Sequence, residues 1–254
     1  MKEQKWDAKA YARYSKGQEK WAKELLDKVL FQGDEAILDI GCGDGKVTAL
    51  LATQTNGIVT GIDKSAEMIA LASKSYPDVI FLQMDATKLT YEKQFDLIFS
   101  NAVLHWVHDH KAVLKGIKKA LKTNGKILLQ FGGYGNASVI LNVAEKMIKD
   151  SEYRRFFYDF TFPYYFPGKE EYQKLLEQTG LDRFQASLIK KDMVHENITA
   201  FKGWIKTTWF PYTNQLPKDM REKFIDALTQ RYLENVPLDK RGRVHVEMVR
   251  LEVR

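Results

Sequence analysis

The fold is decided by the stretch Ile37-Leu38-Asp39-Ile40-Gly41-Cys42-Gly43-Asp44-Gly45-Lys46. A short apolar run leads into three glycines at alternate positions, and a helical pattern begins directly after them. Glycine is needed where a tight turn requires unusual backbone angles or where a ligand lies against the backbone. Ligands of open α/β sheets bind at the carboxyl ends of the strands, which is where this turn falls. The stretch therefore predicts a ligand-binding turn between a strand and a helix.

Apolar runs bounded by turn residues alternate with helical patterns through the first half of the chain. The predicted strands are residues 36–40, 58–62, 79–83, 95–100 and 126–131, with a turn at Asn124-Gly125 before the last of them. The predicted helices between them are residues 46–53, 66–75 and 110–121. Such alternation is typical of a parallel sheet with helices on both faces.

The C-terminal half predicts the remaining elements of the same fold. Helices are expected at 137–149 and 169–179, and strands at 184–190 and 244–253 as an antiparallel pair at the sheet edge. Between these strands, residues 197–234 predict two helices joined through Phe210-Pro211-Tyr212. We therefore predict an α/β fold with a doubly wound, mostly parallel seven-stranded sheet, helices on both faces and a helical cap over the C-terminal strand ends.

Three kinds of nucleotide-binding loop are compared with the glycine stretch. A dinucleotide fingerprint requires glycine or alanine where Lys46 stands, and a phosphate loop requires serine or threonine where Val47 stands. Neither phosphate-binding pattern is complete. The three alternating glycines preceded by an acid instead resemble motif I of class I S-adenosylmethionine-dependent methyltransferases.

Three further segments follow in the order expected for that class. Asp63 ends the second strand 22 residues after Gly41, where an acid can bind both ribose hydroxyls. Met84-Asp85-Ala86 resembles the segment that holds the adenine amino group, and residues 95–102 resemble the strand-four motif that faces the sulfonium. Taken singly, Asp63 and Asp85 are also typical helix-start and turn residues, and we expect Asp96 to hold a backbone turn. Four segments in order predict S-adenosyl-L-methionine as the cofactor.

The segment before the sheet extends the resemblance to the trans-aconitate methyltransferase group, which juvenile hormone acid methyltransferase also resembles. The resemblance covers roughly residues 6–180 and is specific for the cofactor half. It is carried by Trp6, Tyr11, Arg13, Asp39-Ile40-Gly41-Cys42-Gly43, Gly61-Ile62-Asp63, Asn101-Ala102-Val103-Leu104-His105-Trp106 and Phe162-Pro163-Tyr164-Tyr165-Phe166-Pro167. His105 departs from the pattern, because glutamine is expected there in the trans-aconitate enzymes, so the substrate need not be the same.

The resemblance implies a set of cofactor-binding residues. The N-terminal segment either packs as an ordinary helix or folds over the cofactor, with Tyr11 and Arg13 at the methionine carboxylate. The implied cofactor-binding residues are Tyr11, Arg13, Asp39, Gly41, Cys42, Gly43, Asp63, Lys64, Asp85, Ala86 and Asn101. We expect a single domain over residues 1–254, with cofactor-covering helices in 1–33, a cofactor-binding half in 34–131 and an acceptor-side half in 132–254. Its cap is expected at about 132–180 and 192–240.

The acceptor side is less well defined by the sequence. His105 is the candidate catalytic residue, acting either as a general base or as a neutral hydrogen-bond donor at the start of a helix. Trp106, Trp204 and Trp209 are the predicted acceptor-pocket residues among many core aromatics. His108 and His110 are expected in a solvated loop, and no metal site is predicted. Five arginines are alternative clamps for an acidic acceptor or simple surface charges: Arg154, Arg155, Arg231, Arg241 and Arg243.

Composition limits the class of partner and compartment. The net charge of +6 is spread over lysines interleaved with acids, so we do not expect nucleic acid as a partner. No apolar run is long enough for a membrane span, the N-terminus has no apolar leader, and the single cysteine excludes an internal disulfide framework. We therefore expect a cytoplasmic protein with no membrane partner, whose oligomeric state the sequence leaves open.

These observations predict a methyltransferase acting on a small molecule, with O-methylation of a carboxylic acid as the acceptor class implied by the resemblance. Three alternatives remain open. The acceptor is a phenol or an amine, with His105 as base; or it is RNA or protein; or the chain binds the cofactor as a sensor without catalysis.

Overall fold

The computed structural model describes residues 16–254, with side chains from residue 21 onward, so Trp6, Tyr11 and Arg13 lie outside the described residues. The strands are β1 Ile37–Ile40, β2 Val59–Asp63, β3 Ile80–Gln83, β4 Phe95–Asn101, β5 Leu121–Gly132, β6 Ala186–His195 and β7 Val244–Val253. The helices are α1 Lys16–Leu26, α2 Lys46–Ala52, α3 Ala66–Ser75, α4 His110–Ala120, α5 Ser138–Met147, α6 Lys169–Gln178, α7 Ile198–Thr208, α8 Phe210–Thr213 and α9 Lys218–Asn235. Short 3-10 turns lie at Ala86–Lys88, Leu104–Trp106 and Arg154–Phe156.

The strands form one seven-stranded sheet in the order β3-β2-β1-β4-β5-β7-β6. Strands β1 to β5 pair in parallel, and β7 runs antiparallel to β5, with Arg250 opposite Gly132. Next to β6, Gln185 and Arg254 exchange backbone hydrogen bonds of 2.9 and 3.2 Å. The predicted seven-stranded, mostly parallel α/β sheet is confirmed, whereas the helical cap stays a prediction.

The boundaries of two strands differ from the sequence prediction. β5 begins at Leu121, before the predicted turn, because its pairing with β4 jumps from Phe95–Leu121 to Leu97–Lys126 and leaves Asn124-Gly125 in an irregularity of the ladder. β6 continues to His195, well past the predicted end. The connection at Phe210-Pro211-Tyr212 is a short helix of its own, with proline in its first turn, where no N–H is needed.

The described chain divides into two compact units. The first comprises the described residues up to Tyr134, together with Tyr164–Ile189 and Arg250–Arg254, and the second comprises Gly135–Pro163 and Lys190–Val249. In the first unit, successive residues of β1 enter opposite faces of the sheet, Leu38 packing with Val113 and Ile117 of α4 on one face. Ile37 packs with Ala22 and Leu25 of α1 on the other. The central strands are therefore covered on both faces.

The second unit is built from helices and aromatic contacts. Its helix α9 packs against α5 and α7. Edge-on and tilted ring pairs fill the space between the elements, among them Tyr153–Phe224 at 5.1 Å, Phe160–Tyr212 at 4.7 Å and Phe201–Tyr232 at 5.0 Å between ring centroids. Most aromatics of this unit are thus core residues. None of the helices within residues 16–254 is both long and apolar enough to cross a membrane.

His245 joins separate segments of the second unit. Its Nδ1 lies 2.7 Å from Oδ2 of Asp192 on β6, and its Nε2 lies 3.1 Å from Oδ2 of Asp239. Only the imidazolium donates from both nitrogens, so the bonds to Asp192 and Asp239 raise the pKa of His245. Asp239 also accepts a bond from Nε of Arg243 at 2.7 Å, which closes the turn before β7.

We expect His245→Gln to lower the thermal unfolding midpoint at about pH 5.5 and much less at about pH 9. Because the folded pKa lies above the unfolded one, the stabilisation is complete below about pH 6.5 and is lost as the pH rises through the folded value. The His245 side chain is 31% exposed, so we expect its ion pairs to contribute only about 0.5 kcal/mol to the free energy of unfolding. Exposed His108→Gln is the control, and an equal loss at both pH values would contradict an ionic origin.

Candidate functional site

The candidate site lies at the carboxyl ends of the central strands. β1 lies between β2 and β4, with Asp39 paired to Gly61 on one side and to Phe99 on the other. The carboxyl ends of these parallel strands meet at one edge, which is the ligand-binding edge of an open α/β sheet. The predicted residues at or just beyond these ends are Asp39, Gly41, Cys42, Gly43, Asp63, Lys64 and Asn101.

The two glycines that open the loop serve different purposes. The amides of Gly41 and Cys42 both donate to the carbonyl of Ile62, at 2.7 and 2.9 Å. Gly41 has φ +76°, and a Cβ there would collide with the side chain of Val103. Gly43 has φ +53°, but a Cβ there would meet nothing within 4 Å. Packing therefore requires glycine at 41, whereas Gly43 borders open space in which a ligand can approach the backbone.

Asp63 ends β2 and turns its carboxylate toward the glycine loop. Its Oδ2 accepts from the amide of Gly43 at 3.0 Å, and its Oδ1 accepts from the amide of Ser65 at 2.8 Å. Burial raises the pKa of Asp63, and the backbone N–H groups of Ser65 and Gly43 oppose that rise. A carboxylate offers about four acceptor positions, so each oxygen can still accept from a hydroxyl group.

Asp39 and Cys42 lie deeper in the protein than Asp63. Asp39 is 2% exposed, and its Oδ2 accepts from Oγ1 of Thr48 at 2.7 Å, which ties β1 to α2. Burial raises the pKa of Asp39 to about 7. Burial, with the nearby charge of Asp39, also raises the pKa of the Cys42 thiol, so Cys42 is a packed thiol rather than a nucleophile. A direct contact of either residue with the cofactor stays a prediction.

Asp85 follows β3 and is joined to Lys64. Its Oδ1 accepts from the amide and the hydroxyl of Thr87, at 2.9 and 2.8 Å, and its Oδ2 lies 3.3 Å from Nζ of Lys64. Ala86 begins the 3-10 turn that Asp85 caps. Asp85 is therefore a turn residue whose ion pair also connects the ends of β2 and β3.

Asp96 lies at the opposite end of β4 from the glycine loop. Its Oδ2 accepts from the amide of Ala36 at 2.9 Å and from Nζ of Lys122 at 2.7 Å. It holds backbone, as expected from the sequence, and it is remote from the candidate site.

His105 follows β4, within the 3-10 turn Leu104–Trp106. The amide of Gly132 points to its Nδ1 at 3.4 Å, a long hydrogen bond in which Nδ1 is the acceptor. Burial, followed by the positive charge of Arg250, lowers the pKa of His105 well below its usual value. The imidazole is therefore neutral near pH 7, and with Nδ1 accepting, its proton is assigned to Nε2.

Aromatic rings surround His105 within the first unit. Its ring centroid lies 5.8 Å from that of Tyr164 and 5.9 Å from that of Phe166. Trp106 packs on Tyr164 at 4.4 Å, and the backbone carbonyl of His105 accepts from the amide of Tyr165 at 2.9 Å. Residues 164–166 thus form an apolar wall beside the imidazole.

His110 is not the solvated loop residue that the sequence suggests. It begins α4 and is 2% exposed, with Nε2 3.0 Å from the carbonyl of Leu104 and Nδ1 3.0 Å from the hydroxyl of Tyr172. Burial lowers the pKa of His110 to about 4. Both nitrogens are occupied by partners in the core, so His110 is structural. Only His108 of this pair is exposed.

All five arginines named from the sequence belong to the second unit. In the second unit, Arg231 pairs with Asp150 at 2.8 Å and Arg243 with Asp239 at 2.7 Å, so both bind carboxylates of the chain itself. Arg250, which is not among the residues singled out from the sequence, is 3% exposed on β7 opposite Gly132. The available signal was a charged residue on the face of β7 that begins with the apolar residues Val244, Val246 and Met248.

The three predicted pocket tryptophans belong to different units. Trp106 lies in the first unit, and Trp204 and Trp209 form an edge-to-face pair at 5.6 Å in the second. Their joint role in an acceptor pocket stays a prediction. Over residues 16–254, no group of three or more His, Cys, Asp or Glu side chains is arranged to hold a metal ion.

Comparison with known proteins adds independent findings. Residues 38–129 match a family model described as a methyltransferase domain. The trans-aconitate 2-methyltransferase of Enterobacter sp. (strain 638) is 28% identical over 254 residues, covering 97% of this chain and 96% of that protein.

Two solved structures share the fold. The YcgJ protein of Bacillus subtilis aligns with a TM-score of 0.65 at 18% identity, covering 92% of this chain and 97% of that one. Phosphoethanolamine N-methyltransferase 2 of Haemonchus contortus, in complex with phosphomonomethylethanolamine and S-adenosylhomocysteine, aligns with a TM-score of 0.60 at 16% identity, covering 97% of this chain and 56% of that one.

We expect Asp63→Asn to weaken S-adenosylmethionine binding by about 1–3 kcal/mol, because charge-assisted hydrogen bonds to the ribose are lost. Calorimetric titration measures the change. Asp96→Asn is the matched control, since Asp96 also accepts from a backbone amide but at the far end of the sheet. An unchanged dissociation constant in folded Asp63→Asn would remove Asp63 from the cofactor site.

We expect Gly43→Ala to weaken cofactor binding by at least about tenfold, or about 1.4 kcal/mol, because the new methyl group enters the space kept for the ligand. The control is Gly242→Ala, a glycine at φ +74° that also has nothing within 4 Å. Both variants carry the same left-handed strain of about 1–2 kcal/mol, so their unfolding midpoints fall alike. Equal cofactor affinity in the two variants would contradict the prediction that the cofactor lies against the backbone at Gly43.

Proposed function

Since the chain is a class I S-adenosylmethionine-dependent methyltransferase, we propose that it methylates a carboxylate oxygen of a small-molecule acid. The relative named trans-aconitate 2-methyltransferase, at 28% identity over nearly the whole chain, supports an acid as acceptor. The observation that carries the proposal is the hydrogen bond between the Gly132 amide and Nδ1 of His105, because it determines what His105 can do.

The proposal assigns roles to the residues at the cofactor end of the sheet. Asp63 binds the ribose hydroxyls, with its carboxylate fixed by the amides of Gly43 and Ser65. Asp85 and Ala86 lie along the adenine, with Lys64 pairing to Asp85. Asp39, Gly41, Cys42, Gly43 and Asn101 line the methionine side, where Tyr11 and Arg13 are proposed to meet its carboxylate.

The bound cofactor supplies a methyl group on a positively charged sulfur. Transfer requires an acceptor atom in line with the carbon–sulfur bond and exclusion of competing water. A carboxylic acid, with a free pKa of about 4, is already ionised near pH 7, so it needs no base. A phenol or an ammonium, with a pKa near 10, must first lose a proton to a base.

His105 is suited to bind an ionised acceptor and unsuited to deprotonate one. With Nδ1 accepting from Gly132, the proton is on Nε2, which is a donor and has no lone pair for a substrate proton. Its lowered pKa also makes the imidazole a weak base. A neutral N–H can orient a carboxylate without neutralising it, and so leaves the oxygen nucleophilic.

The aromatic rings beside His105 meet the other requirement for methyl transfer, the exclusion of competing water. The rings of Tyr164 and Phe166 are stacked, with their centroids 5.6 Å apart, and both lie next to the His105 ring. Apolar walls of this kind bury most of a small ligand and keep water from its reacting atom. We propose that Trp106, which packs on Tyr164, extends this pocket within the first unit.

We expect the wild-type protein to methylate members of an acid panel that includes trans-aconitate, with a rate that does not fall between about pH 9 and pH 6.5. His105→Gln should lower kcat by less than about tenfold, because glutamine still donates a hydrogen bond and no base is removed. His108→Gln, an exposed neighbour, is the control variant. Turnover is followed by the formation of S-adenosylhomocysteine.

A different acceptor class predicts another result. If the acceptor is a phenol or an amine and His105 is the base, His105→Gln should cost roughly 10²–10⁴-fold in turnover. Such a loss, with no acid methylated by either protein, would overturn the carboxylate proposal.

A further inference from the structure

Val103 connects two parts of the candidate site. It follows β4 by two residues and directly precedes the 3-10 turn Leu104–Trp106, which contains His105. Its side chain lies against the first glycine of the loop after β1, because a Cβ at Gly41 would be 2.7 Å from Cβ of Val103 and closer still to both of its methyl groups. One valine therefore touches the predicted cofactor side of the site and is joined by a short piece of backbone to the predicted acceptor side.

The backbone between β4 and Val103 adopts an unusual conformation. Ala102 has φ +59°, in the left-handed region that residues other than glycine rarely adopt, and it is 7% exposed. Its amide donates to the carbonyl of Gln130 on β5 at 2.7 Å. Strained backbone of this kind persists only where the surrounding structure enforces it, and it is concentrated at functional sites. Here it turns the chain out of the strand immediately before the residue that packs on Gly41.

The turn that carries His105 is anchored independently of the Val103 side chain. The carbonyl of Leu104 lies 3.0 Å from Nε2 of His110, which is buried at the start of α4. The carbonyl of His105 accepts from the amide of Tyr165 at 2.9 Å. The turn is therefore tied to the core at two successive carbonyls.

The glycine loop has an anchor of its own. Its first two amides donate to the carbonyl of Ile62 on β2, at 2.7 and 2.9 Å, and Oδ2 of Asp63 accepts from the amide of Gly43 at 3.0 Å. The loop and the turn are thus two separately fixed pieces of backbone, and the Val103 side chain fills the space next to Gly41. The bulk of that side chain therefore contributes to the separation of the loop from the turn.

Methyl transfer depends steeply on such a separation. The acceptor oxygen forms a bond to the methyl carbon while the carbon–sulfur bond breaks and its electron pair goes to sulfur, so the three atoms must be in line. The reacting atoms have to lie about 3–3.5 Å apart before the step, and an error of about 1 Å can cost about 100-fold in rate. A residue that sets the distance between a cofactor loop and an acceptor-binding imidazole can therefore control kcat without touching either ligand.

We propose that Val103 is a positioning residue for methyl transfer, whose two methyl groups set the distance between the cofactor on the glycine loop and the acceptor at His105. This assignment rests on the proposed function. The position requires the shape of a β-branched side chain, because Cβ and both methyl groups of Val103 occupy the space next to Gly41. Alanine lacks that bulk, whereas threonine keeps the shape and replaces one methyl group by a hydroxyl.

The test compares Val103→Ala and Val103→Thr with the wild-type protein, using the acid of the panel, trans-aconitate included, that the wild-type protein methylates fastest. We expect Val103→Ala to lower kcat by about 10- to 100-fold at saturating acid and cofactor, while the S-adenosylmethionine dissociation constant changes by less than about threefold. Val103→Thr should keep kcat within about threefold of wild type, although its hydroxyl lowers the unfolding midpoint. A fall of kcat in Val103→Thr as large as in Val103→Ala would make the residue merely structural and overturn the proposal.

Val29→Ala is the matched control. Val29 is also a partly buried valine of the first unit, but it packs against the cluster around Leu25 and Ile37, at the start of β1 rather than at its carboxyl end. Its truncation should lower the unfolding midpoint much as Val103→Ala does and leave kcat unchanged. Two results would overturn the proposal: an equal fall of kcat in both alanine variants, or a dissociation constant for S-adenosylmethionine weakened by more than about tenfold in Val103→Ala.

A structural measurement separates this inference from the proposed function. Crystals of the wild-type protein and both Val103 variants with S-adenosylhomocysteine give the distance from its sulfur to Nε2 of His105 without any turnover. We expect that distance to change by at least about 0.5 Å in Val103→Ala and to stay the same in Val103→Thr. That pattern, with no acid methylated by any of the proteins, would support the role of Val103 and overturn the proposed function. An unchanged distance in Val103→Ala would overturn the role of Val103, and methylation of acids by the wild-type protein would then leave the proposed function standing.

Discussion

The carboxylate of Asp63 joins three segments at the carboxyl edge of the sheet: the end of β2, the glycine loop and the turn that starts α3. One of its oxygens accepts from the glycine loop after β1, and the other accepts from the turn that starts α3. The start of the glycine loop also donates hydrogen bonds, from the amides of Gly41 and Cys42, to the carbonyl of Ile62 on β2. The geometry of the glycine turn therefore depends on β2, and the parallel pairing of β1 with β2 is what brings the two strand ends to one edge.

This arrangement concentrates acids beneath the loop. Asp39 is fully enclosed and bound by Thr48, and the charge of Asp63 adds to the burial that raises its pKa. Two nearby carboxylates repel each other, so the site tends to bind hydrogen-bond donors and positive charge. A ribose offers donors and a sulfonium carries a positive charge, so both are the kind of group that such acids attract.

The cofactor half could be predicted from local sequence because each of its signals is local. Glycine spacing, strand-end acids and alternating elements all lie within a few residues of the features they predict. The alternation of strands and helices along the chain is enough to predict a parallel sheet. His110 and the start of β5 depend on distant partners. His110 is buried because the hydroxyl of Tyr172, 62 residues away, completes its hydrogen bonds. No local pattern contains that information, so a histidine between turn residues was expected in solvent.

The charged residues of β7 show the same limit. In β7, Arg250 and Glu252 follow Val246 and Met248, and period two places all four on one face of the strand. Two opposite charges so placed suggest an ion pair from sequence alone, but the carboxylate of Glu252 is bound by Lys28, 224 residues away. The partner of Glu252 therefore depends on how the segment after α1 packs against the sheet, and no local pattern in β7 contains that information.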